Sequence, residues 1–90
     1  MLDQSFVFGV VDRAAREHLS PDVWVTTGYH ENGIAVVYAK DGAADDAHLL
    51  FKVTNREMRL NGPGQLPDLI AGKIKHARWK LAEIRTAQVN

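Results

Sequence analysis

The chain has 90 residues, is 46% hydrophobic, contains no cysteine, and balances eleven basic against eleven acidic side chains. Such a length makes one domain with a modest core, the apolar fraction argues against disorder, and the lack of thiols excludes a disulfide scaffold or a thiolate metal site. Zero net charge gives no general pull towards nucleic acid or anionic membrane. No apolar run approaches the roughly 20 residues of a membrane span, and Met1 to Ser5 carries no basic leader, so a cytoplasmic protein is expected.

Residues 5–19 are predicted to form a helix. Asp3 or Ser5 can cap it by accepting from orphan amides of the first turn. Phe6, Val7, Val10, Val11, Ala14 and Ala15 spread over one broad arc, Phe8 lies at its far edge, and Asp12, Arg13 and Arg16 stand opposite. The β-branched valines and Gly9 oppose this reading and leave a strand over residues 6–11 as the alternative. Ser20-Pro21-Asp22 then breaks the element.

Residues 23–31 and 34–40 are rich in β-branched and aromatic side chains, with Asn32-Gly33 between them, the favoured centre of a type I′ turn. A two-residue loop there sets Glu31 opposite Ile34, His30 opposite Ala35, Tyr29 opposite Val36 and Thr27 opposite Tyr38. One sheet face then carries Val23, Val25, Thr27, Tyr29, Ile34, Val36 and Tyr38, and its bulk predicts that it meets the helices. The other carries Trp24, Thr26, Gly28, His30, Ala35, Val37 and Ala39.

After an acidic loop over residues 41–46, residues 48–54 form a third strand, with Leu49, Phe51 and Val53 on one face and His48, Leu50, Lys52 and Thr54 on the other. Residues 55–57 turn the chain into a short fourth strand over 58–60, and Asn61-Gly62-Pro63-Gly64 is a loop. Pro67 and Asp68 open a last helix, along which Ile70, Ile74, Ala77, Leu81 and Ile84 recur at spacings of four and three. The whole reads as a single α+β domain over residues 1–90. It is a two-layer sandwich of helix, three or four antiparallel strands and helix, with both helices on one sheet face.

The order helix, three antiparallel strands, helix resembles that of double-stranded-RNA-binding domains, which read RNA by shape through phosphate and 2′-hydroxyl contacts. The likeness is one of topology. That family's lysines belong at the start of the second helix, where this chain has Gln65-Leu66-Pro67-Asp68-Leu69, so membership is not expected.

Three features bear on function. Residues 1–66 hold six basic and nine acidic side chains, whereas residues 67–90 hold five and two, which makes the last helix a basic patch or simply a solvated face. Trp79 lies across that helix from Ile70, beside Lys75, His76, Glu83 and Thr86, where it can anchor an interface or stack on a base. Trp24, Val37 and Leu50 make the second sheet face too apolar for full solvation, which fits a covering layer from a partner or a second copy. His30 and His48 could approach across strands near Glu31, Asp45 and Asp46, but no metal-ligand spacing supports a site.

Ser5 and Ser20 sit where capping explains them, and no phosphate loop is present. The expectation is a non-enzymatic protein-interaction module, such as an adaptor, inhibitor or regulatory subunit, with no cofactor and no metal. It would bind another protein or itself as a homodimer through Trp79, Lys75, Arg78, His76, Trp24, Val37 and Leu50. The alternative is a nucleic-acid-binding domain that uses the basic last helix through Lys73, Lys75, Arg78, Lys80 and Trp79.

Overall fold

A computed structural model of the chain describes residues 2–19, 24–39 and 46–89, with side chains up to Ala87. Parts of the sequence reading fall outside these residues: the break at Ser20-Pro21-Asp22, the strand ends Val23 and Lys40, and residues 41–45 of the acidic loop. The described elements are helix α1 (Gln4–His18), strands β1 (Val25–His30), β2 (Gly33–Ala39) and β3 (Ala47–Thr54), a short helix α2 (Asn55–Leu60) and the long helix α3 (Leu66–Val89). The strands form one antiparallel sheet in the order β1-β2-β3.

α1 begins where expected, because the Asp3 carboxylate accepts from the Ser5 and Phe6 amides at 2.7 and 3.3 Å. Val7, Val11 and Ala15, spaced by four, are fully buried, and Val10 and Ala14 pack beside them. Phe6 is the exception within the predicted arc: it stands 55% exposed at the outer margin of the first turn. The stripe of α3 is confirmed, with Ile70, Ile74, Ala77 and Leu81 buried and Ile84 half-buried. A single core cluster joins these side chains to Ile34, Val36, Tyr38, Leu50, Phe51 and Val53 of the sheet. Both long helices therefore draw on the same face of the sheet.

The hairpin turn sits one residue earlier than the Asn-Gly rule implies. Glu31 and Asn32 form the turn, and Gly33 is already in β2, paired with His30 on one side and Thr54 on the other. Tyr29 thus faces Ile34 rather than Val36. A displacement of two leaves every residue on its predicted face, since side chains alternate with a period of two. Gly33 takes the positive φ expected of a turn glycine, but within β2: its φ is +145°, and a Cβ there would also collide with the backbone carbonyl oxygen of Val53 and come within 2.9 Å of the Thr54 Cα. The turn is tied down from behind, as the Asn55 amide donates to the Asn32 carbonyl at 2.7 Å and its side chain donates to that of Glu31 at 3.3 Å.

β3 departs from plain alternation. Val36 pairs with Phe51, but the next residue, Val37, pairs with Leu49, so Leu50 is the extra residue of a β-bulge. The bulge turns Leu50 inwards to 1% exposure beside Phe51, and Leu49 outwards to 42%. Both assignments are the reverse of those made from strict alternation.

The expected fourth strand over residues 58–60 is instead α2. Thr54 caps it: its hydroxyl accepts from the Glu57 amide at 3.1 Å while the Glu57 carboxylate accepts from the Thr54 amide at 2.9 Å. This reciprocal pair is a capping box, and it overrides the strand-like look of Met58-Arg59-Leu60. Met58 is buried under α2, and its carbonyl receives the Leu2 amide at 3.5 Å.

Candidate functional site

The buried stripe of α3 divides the rest of that helix into two flanks, and each borders a depression. Towards α1, Pro67, Ala71, Lys75 and Arg78 join Val10, Ala14 and His18 around a cleft of about 400 Å³. Arg78 is held there, its Nε donating to the His18 carbonyl at 3.0 Å. Towards β3, Asp68, Leu69, Gly72, Lys73, His76 and Lys80 face Leu49, Leu50, Phe51 and Lys52 across a groove of about 540 Å³.

The lining of this second groove defines its shape. Four consecutive β3 residues contribute, Leu49 and Lys52 exposed and Leu50 and Phe51 buried, so the groove follows the strand's edge rather than either face. Asp68, Gly72, His76 and Lys80 recur every four residues, forming one row along the helix. Gly72 widens the groove, since a Cβ built on it would meet no atom within 4 Å. β3 is the end strand of the sheet and pairs only with β2 among the described residues. Its outer edge therefore carries backbone N–H and C=O groups without a strand partner.

Three lysines and His76 stand around this edge against one carboxylate, that of Asp68. Lys73 is engaged with Glu57, Nζ to Oε2 2.8 Å, each side chain about three-quarters buried. Burial alone would raise the Glu57 carboxyl, but Lys73 and the Thr54 amide and hydroxyl outweigh it and hold it below its ordinary value. Lys52 and Lys80 have no ion-pair partner among the described residues.

The residues singled out from sequence are thus dispersed. Trp79 is 63% exposed, its ring 6.1 Å from that of His76, and it borders a shallow hollow with Ala82, Glu83 and Thr86. Lys75 and Arg78 belong to the α1 side, and His76 to the β3 side. Trp24, 65% exposed, precedes β1, where its carbonyl receives the Ala39 amide at 2.9 Å. Val37 is half-buried on the open sheet face. Leu50 does not belong to that face, because the bulge buries it in the core; Leu49 takes its place outside.

His30 and His48 are not brought together. His30 pairs with Gly33 and His48 with Tyr38, on opposite edge strands and five residues apart along β2. The bulge also moves His48 across to the Tyr38 ring, 6.2 Å away. No group of three or more potential metal ligands occurs among the described residues. Nor, among them, is any helix long and apolar enough to cross a membrane.

Sequence reasoning gave no binding role to Leu49, Lys52, Leu69 or Gly72, and singled out Lys80 only for the nucleic-acid alternative. The four-residue recurrence of Asp68, Gly72, His76 and Lys80 was visible in the chain, but nothing local said that β3 would lie beside it. No family model, curated protein or solved structure matches the chain.

Proposed function

We propose that this protein is a small protein-interaction module that works by binding a partner chain. The observation that carries this reading is the outer edge of β3, without a strand partner among the described residues, running beside an apolar-floored groove with a basic rim. An unpaired strand edge is a template for another chain, and apolar side chains beside it give a partner something to bury. The exposed Trp24, Leu49 and Trp79 extend the surface on which an interface could grow.

The test is a pair of selections on the folded protein, one from a random peptide-display library and one from a random RNA pool, each at low and high salt. Saturable peptide binders that survive high salt support the interaction reading. Enrichment of RNA alone, with affinity falling steeply as salt rises, would overturn it in favour of the nucleic-acid-binding alternative.

A further inference from the structure

We infer that the groove between β3 and α3 accepts an extended, acidic segment of a partner protein, which joins the sheet as a fourth strand along β3. This rests on the interaction reading above and names the ligand class that the groove fits.

The dimensions agree with a single strand. Leu49 to Lys52 spans about 10 Å of extended chain, and Asp68 to Lys80 about 18 Å of helix, so four or five ligand residues fill the length. Main-chain hydrogen bonds to β3 would supply affinity without regard to sequence, while alternate ligand side chains meet different walls. Those turned towards α3 meet the half-buried Leu69 and the space left by Gly72, above the buried Leu50 and Phe51, which suits one or two apolar groups. The surrounding charge suits acids, because Lys52 and Lys80 have no ion-pair partner among the described residues, and Lys73, though paired with Glu57, lies at the same rim.

The same charge argues against a second copy in this place. Symmetric pairing of β3 with β3 would bring the Lys52 and Lys80 groups of two molecules together, and like charges across an interface are repelled. An acidic heterologous segment relieves that repulsion. The groove also distinguishes this edge from the outer cleft at α1, where Arg78 already has the His18 carbonyl as acceptor and no strand edge is available.

The probe is a set of blocked short peptides with glutamate fixed at alternate positions and varied apolar residues between, compared with the same set carrying lysine. Titration is followed by amide chemical shifts of the intact protein. The inference expects the glutamate set to bind, the lysine set not to, and the largest shifts to fall on Leu49 to Lys52 and on Gly72 and His76. Methylating alternate peptide nitrogens in one of the two possible phases should abolish binding, because those amides face β3. Lys52→Glu, at an exposed position, and Lys80→Glu, at a half-buried one, should each weaken binding about tenfold while leaving the protein folded.

Shifts centred on Val10, Ala14 and Arg78, binding indifferent to methylation in either phase, or no binding of the glutamate set would each overturn the inference. So would β3 shifts that grow with protein concentration before peptide is added, which would assign the edge to a second copy. These results are separable from failure of the broader reading: display-selected peptides that bind elsewhere leave an interaction module with a different site, whereas recovery of RNA alone removes both.

Discussion

Beside β1, the rings of Phe8 and Tyr29 stack with centroids 4.7 Å apart and planes 26° from parallel, so aromatic carbon fills the angle between α1 and the strand. Beside β3, the equivalent angle with α3 is bordered by Gly72, by lysine side chains and by His76, and stays open as a groove. Both strands are sheet edges, and each has a helix over its inner side. The difference lies in which side chains the helices turn towards the edge. A bulky ring closes the angle and adds stability; a glycine and long cations leave room and attract the opposite charge.

The helix stripe common to both sides should be the most sensitive to change. Ile74→Ala removes a buried side chain from the centre of α3 and should cost about 2–5 kcal/mol, whereas Trp79→Ala on the exposed side should cost well under 1 kcal/mol. Equal losses in chemical denaturation would mean that Trp79 is core and that α3 has no free side. Gly33→Ala tests the strand that joins the two edges. A side chain at φ +145° against the Val53 backbone should cost about 2–4 kcal/mol, with broadened signals in both β1 and β3. An unchanged melting temperature would mean that β2 does not approach β3 this closely.

Phe8→Ala acts on the filled side alone. The loss of a half-buried ring and its stack should cost about 1–2 kcal/mol and leave peptide binding at β3 unaltered. If binding at β3 changes as well, the two edges are coupled and the comparison fails. Gly72→Ala acts on the open side with the opposite sign. The site is an exposed helical position with space for a methyl group, so alanine should stabilise the fold by about 0.5–1 kcal/mol while narrowing the groove. Destabilisation would mean that the groove is already occupied.

Acid should weaken the corner where α2 meets α3. The Glu57 carboxyl lies below its unfolded value of about 4.5, so its contribution is complete above that pH and is lost as pH falls through the lower folded value. Glu57→Gln should flatten this acid limb in a pH series of melting curves, because it removes the titrating group from the Thr54 cap and the Lys73 pair. An unchanged limb would place the acid sensitivity elsewhere.

Regular periodicity was legible in the chain, and breaks in it were not. The four-three spacing of Ile70, Ile74, Ala77 and Leu81 announced α3 and its buried side, and alternation sorted the β1 and β2 residues correctly even with the turn misplaced by one. The bulge at Leu50 has no local signature, since it arises only when β3 is laid against β2, and it reverses Leu49 and Leu50. α2 did have a signature. Thr54 and Glu57 stand at capping-box spacing, but a six-residue helix offers little periodicity to set against a strand-like run. The groove was the least visible feature, because Lys52 and Lys80 become neighbours of one edge only after the chain has turned back through α2 and the following loop.

The most direct test of the account is residue-resolved amide hydrogen exchange of the intact protein, with and without the glutamate-bearing peptides. The account predicts that bound peptide slows exchange at those amides within Leu49 to Lys52 that are not bonded to β2, and leaves Val25–His30 of β1 as in the free protein. Protection that appears along β1, or that leaves β3 untouched while peptide is bound, would contradict it.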